Sequence, residues 1–343
     1  MIACDRLCRL QPYPPESTCK VRGKSLRMLT RITRLLSSVI LVANVISHNL
    51  ASAQSAASCF NESSSLIYHH SVSEVRLMFF ATDEHNHPVS DLEKNDFAVV
   101  DDDSVIRDFR SFSRADLINL DVMVLMDSSE SVLPRLPQEV AEVQQLISQW
   151  PWRSGDKLSV LSFSGMQTRL VCSEDCRISF SAERIYSSPQ GGATPLFDAL
   201  KKAANILHSR AQPDVWRVII LFSDGDDTIS VTSLKEALGA IQDSEAQVYA
   251  VDNRVSARPS DGTAILQKIA ADSGGRYLRL SDGTVNLFNS VFDDLHSARV
   301  VTYALPAATT DFHSIRILPT HNLKLQFRCR SGYYRRASSA VTY

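Results

Sequence analysis

Leu120-Asp121-Val122-Met123-Val124-Leu125-Met126, followed at once by Asp127-Ser128-Ser129-Glu130-Ser131, is the stretch that decides the fold. An apolar run of this length reads as a strand covered on both faces, the kind found in parallel sheets. The polar loop behind it then stands at the strand's carboxyl end, where open α/β sheets place their ligand sites. Downstream, helix-like and strand-like segments alternate, which predicts a doubly wound, mostly parallel sheet flanked by helices. Val140, Val143, Ile147 and Trp150 share one helical face. Leu158–Phe163 is a strand, with Thr168–Val171 as a possible edge beside it. Leu196, Leu200, Ala203 and Leu207 form the next helical stripe, and Val215–Phe222 the next strand. Ser233 and Glu236 fit a capping box for a helix running through Leu238 and Ile241. Val248–Val251 is a strand, Ile265, Leu266 and Ile269 sit on a helix stopped by Gly274-Gly275, Tyr277–Leu280 is a strand, and a last helix covers about 285–298.

The flanks have a different rhythm. Residues 64–113 show partial alternation at Val72, Val75, Leu77, Phe79 and Ala81, a turn cluster at Asp83 to Pro88, and a short strand closed by Asp101-Asp102-Asp103. From Val300 the β pattern returns, with Ile315–Leu318 and Leu323–Phe327 separated by a hairpin-like turn, Pro319 to Asn322. Neither flank has enough strands to bury a core well by itself. They are expected to pack together as one small β-sandwich, with the α/β domain inserted between its halves.

The loop after the first parallel strand carries the chemistry. Its outer pattern is Asp-x-Ser-x-Ser, and in an extended loop residues two apart point to one side. Asp127, Ser129 and Ser131 thus converge. Thr194, in Gly191-Gly192-Ala193-Thr194-Pro195, and Asp224, in Ser223-Asp224-Gly225, come from corresponding places at a helix start and a strand end. Two carboxylates and three hydroxyls make an all-oxygen set, suited to Mg²⁺, Ca²⁺ or Mn²⁺ and poor for zinc or copper. Such a site stays open, and an acidic group from outside can complete it. Glu130, Asp226 and Asp227 are spare carboxylates nearby. The last two read as a solvated acidic turn, whereas Asp198 could support the Thr194 loop or simply face solvent.

These residues together resemble the von Willebrand factor type A domain. By that resemblance Asp127, Ser129, Ser131, Thr194 and Asp224 form its metal-ion-dependent adhesion site (MIDAS). A longer match covers most of the chain after residue 53. His87-Pro88-Val89-Ser90-Asp91-Leu92 with Asp96-Phe97-Ala98-Val99, then Ser154-Gly155-Asp156-Lys157-Leu158, Thr194-Pro195-Leu196-Phe197-Asp198-Ala199-Leu200 and Ser331-Gly332-Tyr333-Tyr334, is similar to acidobacterial-type von Willebrand factor A-related proteins. Glu130 and Val132 depart from the Gly and Met that relatives often carry. The departure adds an acid beside the site and leaves the five donors intact.

The expected organisation is an extension with a signal peptide at 1–53, a β module at 64–113, the type A domain at 118–299 and a C-terminal β hairpin at 300–334. Arg31 and Arg34, the apolar stretch Leu35 to Ile46, and Ala51-Ser52-Ala53 make a secretory signal, cleaved after Ala53. The stretch is short for a membrane span, so a membrane contact is expected only if the signal stays uncleaved. Met28 would start a signal of normal length. The destination is the periplasm or the medium. Cys4, Cys8 and Cys19 precede the cleavage point. Of Cys59, Cys172, Cys176 and Cys329, the pair Cys172 and Cys176 flanks a short turn and is either a disulfide or two free thiols.

Charge narrows the function. Of the 343 residues, the first 53 hold 8 Lys/Arg and 2 Asp/Glu, whereas the other 290 hold 28 basic and 36 acidic side chains. An acidic body excludes a nucleic-acid binder. Arg328, Arg330, Arg335 and Arg336 then read as a solvated strand end, and His69-His70 and His85-Asn86-His87 as exposed polar residues near turns. There is no nucleophile elbow, Walker A lysine or dinucleotide fingerprint. The sequence therefore points to an exported, non-enzymatic binding module that grips a protein ligand through a cation, the ligand supplying an Asp or Glu carboxylate. The alternatives are a metal-assisted hydrolase, which would need a base beside the metal, and an envelope structural protein with a vestigial site.

Overall fold

In the computed structural model, which describes residues 74–115, 118–212, 214–255, 258, 260–280, 287–306 and 311–334, the decisive apolar run lies inside a central strand. The signal segment, Cys4, Cys8, Cys19, Cys59, His69-His70, residues 64–73 and Arg335-Arg336 lie outside the described residues.

The β-rich flank before the domain gives β1 (Glu74–Thr82), β2 (Phe97–Asp101), β3 (Ser104–Ile106) and β4 (Ser111–Arg114). The α/β segment gives β5 (Asn119–Asp127), α1 (Leu136–Gln149), β6 (Lys157–Ser164), β7 (Gln167–Cys172) and two short helices, α2 (Cys176–Ser179) and α3 (Ala182–Tyr186). It continues with α4 (Leu196–Ser209), β8 (Val215–Ser223), α5 (Leu234–Ser244), β9 (Gln247–Asp252), α6 (Asp261–Ser273), β10 (Tyr277–Arg279) and α7 (Leu287–Ser297). The C-terminal flank gives β11 (Arg299–Ala304), β12 (Phe312–Pro319), β13 (Gln326–Cys329) and β14 (Gly332–Tyr334).

The central sheet has the order β10-β9-β8-β5-β6-β7, parallel throughout except for the antiparallel edge β7. Side chains alternate across a strand, so β5 serves two cores. Leu120, Val122, Val124 and Met126 pack with α1 and α7, while Met123 and Leu125 pack with α4, α5 and α6. The capping box forms as the sequence predicts: the Glu236 N–H donates to Ser233 Oγ (3.3 Å), and the Ser233 N–H to Glu236 Oε2 (2.8 Å).

Strands from the two flanks build a third layer pair. One sheet runs β13-β1-β11-β4 and the other β14-β12-β2-β3, all antiparallel, with Leu77, Phe79, Phe97, Val99, Val301 and Tyr303 in the core between them. Each sheet mixes strands from before and after the α/β segment. The architecture is therefore an α/β domain with a doubly wound sheet plus a sandwich made from both flanks.

The expected C-terminal hairpin is corrected. β12 and β13 lie in different sheets. Both sides of β12 are already taken, by β2 and β14, so the next strand adds to the free side of β1 instead. The solvated basic strand end is corrected too. Arg328 Nη2 lies 2.7 Å from the fully buried Asp294 carboxylate on α7, and Arg328 Nη1 donates to the Gly274 carbonyl (2.7 Å). Arg330 pairs with Glu245 at 3.1 Å. Gly274 ends α6 with φ of 77°, and a Cβ there would lie 2.6 Å from the Arg330 nitrogen. Only glycine accepts both that backbone and that approach. Cys172 and Cys176 form a disulfide, and Cys329 is a free, half-buried thiol.

Candidate functional site

β5 and β8 pair in parallel, Met126 opposite Phe222, so their carboxyl ends release Asp127 and the Ser223-Asp224-Gly225 turn side by side. Asp127 is fully buried and Asp224 nearly so. Ser223 Oγ donates to Asp127 Oδ2 (2.8 Å), and the Ser129 N–H donates to Oδ1 (2.9 Å). Gly225 has φ of 82°, and a Cβ would run into the Gly262 carbonyl, so the turn holding Asp224 requires glycine.

The Asp-x-Ser-x-Ser loop is a turn and not the extended segment expected. The Val132 N–H donates to the Ser129 carbonyl (3.3 Å), closing it. The two hydroxyls still converge, with Ser129 Oγ 3.5 Å from Ser131 Oγ. Ser129 is buried and Ser131 exposed. Thr194, also buried, is tied in from both sides. Its loop meets the first one where the Gly191 N–H donates to the Ser128 carbonyl (2.7 Å) and the Glu130 N–H to the Gly192 carbonyl (3.2 Å). It meets the third loop through Thr228. The Thr194 N–H donates to Thr228 Oγ1 (2.8 Å), and the Thr228 N–H donates to the Thr194 carbonyl (3.0 Å). The structure thus gathers all five sequence-derived residues on three hydrogen-bonded loops at one end of the sheet.

Several contributors escaped sequence reading. Thr228 holds the Thr194 loop in place and offers no spacing signal of its own, and Ser223, although part of the Ser223-Asp224-Gly225 turn, gives no sign in sequence of its bond to Asp127. Asp227 is not merely solvated: its Oδ1 accepts from the Phe197 N–H (3.2 Å) at the start of α4 and from Ser230 Oγ (2.5 Å). Asp198 supports the third loop by accepting from the Val231 (3.1 Å) and Thr232 (2.9 Å) N–H groups. Asp226 and Glu130 are exposed.

Anions crowd this end. Burial pushes the Asp127 carboxyl up to about 7, against the hydrogen bonds from Ser129 and Ser223, and the charge of Asp224 adds to the rise. Burial and then Asp224 raise Asp226 as well. Beneath the loops Glu139 of α1 is fully buried, its Oε1 accepting from Asn253 Nδ2 (2.6 Å) and its Oε2 without a partner. Burial holds the Glu139 carboxyl well above the usual range, and Asp127 and Asp224 push the same way. Arg254 donates to the backbone carbonyl of Asp224 and to Ser260 Oγ. Two buried carboxylates with three hydroxyls fit a hard divalent cation, whose charge would relieve the repulsion.

A second group of possible metal ligands lies in the sandwich, where atoms of Asp101, Asp102 and His313 fall within 4.8 Å of one another. Hydrogen bonds already engage it. His313 Nδ1 is 2.9 Å from Asp101 Oδ1, and Tyr303 and Tyr333 both donate to Oδ2 at 2.8 Å. His313 Nε2 is buried without a partner. A metal on Nδ1 would move the imidazole proton to that position, leaving a buried donor unpaired. This group therefore serves as a polar network within the sandwich core. His85 and His87 are exposed in their turn, as expected.

Residues 121–293, half of the chain, match the von Willebrand factor type A domain. The chain belongs to that family. Among solved structures, the type A domain here is similar to the conserved hypothetical protein BatB from Bacteroides thetaiotaomicron (22% identity, 51% of this chain and 97% of that one, TM-score 0.36). It is also similar to the manganese-loaded TRAP protein of Plasmodium vivax (14% identity, 68% and 98%, TM-score 0.40). A third likeness is to proximal thread matrix protein 1 from the mussel byssus, with a zinc-occupied MIDAS motif (19% identity, 48% and 44%, TM-score 0.37). Among the described residues no helix is long and apolar enough to cross a membrane.

Proposed function

We propose that this type A domain protein is an exported, divalent-cation-dependent protein-binding module. Asp127, Ser129, Ser131, Thr194 and Asp224 would hold Mg²⁺, or Ca²⁺ or Mn²⁺, and a partner's Asp or Glu carboxylate would complete the coordination. The observation that carries this reading is the pair of buried carboxylates, Asp127 and Asp224, released side by side from adjacent parallel strands, with Ser223, the neighbour of Asp224 in sequence, donating to Asp127. Nature rarely buries two acids together without a counter-charge. Three neutral hydroxyls around them leave a bound cation electrophilic toward an outside anion. A hydrolase would need a base beside the metal. Of the three spare carboxylates in the loops, Asp227 is committed to the start of α4, which leaves Glu130 and Asp226. Export rests on Arg31, Arg34, the stretch Leu35 to Ile46 and Ala51-Ser52-Ala53.

Calorimetric titration of Mg²⁺ into the protein and into Asp127→Ala tests the site. Saturable heats are expected for the parent and none for the variant, with near-identical circular dichroism. Equal heats and affinities in both would remove these residues from consideration. A pull-down of envelope proteins in Mg²⁺, repeated in EDTA, then tests bridging: the bound partner should leave with the metal.

A further inference from the structure

A cleft of about 760 Å³ opens on the seam between the sandwich and the α/β domain. It arises where β12 and β13 part. β14 runs beside β12 only as far as the Ile315 N–H, which donates to the Ser331 carbonyl (2.8 Å), and β13 turns away to pair with β1. The gap is lined by Ile317 of β12 and Phe327 of β13, together with Gln267 and Ala271 of α6 and Leu278 of β10. Leu278 packs against the core under α1 and α7, and Phe327 against the sandwich core, so apolar surface from both cores reaches the cleft. Small-molecule sites are commonly of this size and sit at such seams. None of the five oxygen donors of the metal end lines it.

Charge in the cleft is one-sided. Arg276, Arg316 and Arg328 line it, and no carboxylate does. Arg276 and Arg328 share a single anion, Asp294, at 2.6 and 2.7 Å, so one positive charge of the pair is left unbalanced. Asp293, the other acid acting on Arg276, is exposed and lies outside the lining. Arg276 donates to Asp294 through Nε and Nη2, which leaves its Nη1 uncommitted among the described residues. The Arg276 and Arg328 side chains remain 32% and 26% exposed. Gln267 and Gln326, also in the lining, make no side-chain hydrogen bond among the described residues and offer neutral donors. A guanidinium takes a carboxylate through short, charge-assisted hydrogen bonds. A bare inorganic anion would leave the apolar walls wet, and a neutral apolar molecule would leave the spare charge unmatched.

We infer that this cleft is a second ligand site, separate from the metal end, and that it takes a small organic acid. The carboxylate sits with Arg276 and Arg328, and an apolar body lies against Leu278, Ile317 and Phe327. The site exists only because the two flanks and the α/β domain meet: the arginines come from either side of the seam, and so do the apolar walls.

Calorimetric titration of the full chain in EDTA, where no cation can hold the acid elsewhere, gives the test. The probes are 2-naphthoate and 3-phenylpropionate, each beside its matching amide. At least one acid should bind saturably, and its amide roughly tenfold or more weakly, the size expected for losing a charge-assisted contact. Gln267 and Ala271 are exposed positions of α6, so changing them leaves the core and the Asp294 contacts intact. Gln267→Glu should weaken the acid by roughly tenfold or more through repulsion and change the amide little. Ala271→Trp should fill the cleft and abolish binding of the acid. Both variants should unfold at the parent's temperature. No saturable binding by either acid, equal affinities for acid and amide, or an acid affinity unchanged in both variants would overturn the site. Mg²⁺ binding at the loops is measured separately, so this inference and the metal-bridging reading stand or fall independently.

Discussion

At the scale of the residue, Asp127 concentrates the tension of this protein. Its carboxyl is fully buried, and burial raises it to about 7. In an unfolded chain the same group titrates near 4. The folded, cation-free protein therefore prefers Asp127 protonated. Its contribution to stability is fully present below about pH 4 and is lost as pH rises toward 7. In EDTA, the midpoint of thermal unfolding should fall by several degrees more between pH 5 and pH 8 for the parent than for Asp127→Asn. Saturating Mg²⁺ at pH 8 should recover the difference for the parent only. Identical pH slopes in scanning calorimetry would show that Asp127 is not the source. Glu139 obeys the same logic from below. Burial holds its carboxyl well above the usual carboxylate range, and Oε1 accepts one hydrogen bond from Asn253. Glu139→Gln keeps that acceptor, so unfolding at pH 8 should occur at the same temperature or higher.

At the scale of the element, the join between α7 and β13 holds the sandwich to the α/β domain. Asp294 of α7 is fully buried and accepts from Arg276 (Nη2, 2.6 Å), Arg328 (Nη2, 2.7 Å) and Tyr249 (Oη, 2.8 Å). The carboxylate raises the pKa of Arg276 in return. Arg328 also lies over the ring of Phe80, its guanidinium carbon 4.0 Å from the centroid, so β1 and β13 both meet α7 there. Removing the one anion would leave two guanidinium groups facing each other in a partly buried space. Asp294→Ala should cost about 3–5 kcal/mol in urea unfolding, the usual loss for breaking a buried pair. Arg328→Ala should cost less, because Arg276 still neutralises Asp294. A loss under about 1 kcal/mol for Asp294→Ala would place the join elsewhere.

At the scale of the whole molecule, the sandwich cannot form from either flank. β1 gains its partners β11 and β13, and β2 its partner β12, only after the α/β segment has been crossed. A chain ending at Ala298 lacks four of the eight sandwich strands, and Leu77, Phe79, Phe97 and Val99 lose their cover. Limited proteolysis of that shortened chain should cut within residues 74–114 at protease levels that leave the full chain intact. Protection of that segment would mean that the N-terminal module folds by itself.

The α/β architecture was legible because it rests on local pattern. Apolar runs for buried strands, helical stripes and a capping box each sit within one segment, and their alternation dictates the layering. The meeting of Asp127, Ser129, Ser131, Thr194 and Asp224 at one end of the sheet was legible for a related reason: the carboxyl ends of adjacent parallel strands lie side by side by topology, and the loops that leave them meet there. Residues whose role depends on what lies across the fold were not legible. Ser223 and Asp227 stand in a turn that sequence shows, and Thr228 beside it, but the groups they bind on other loops are not written there. Arg328 reads as a charge on a strand end until Asp294, 34 positions earlier, is brought against it. The choice of β13 between hairpin and crossover depends on which strand edges are already occupied, a fact that exists only once both flanks are in place. Sequence by itself thus determined what each segment becomes and where its chemistry must emerge. The tertiary structure decided which distant segments share an edge, a charge or a core, because hydrogen-bonding capacity and burial are limited and are divided among all the strands at once.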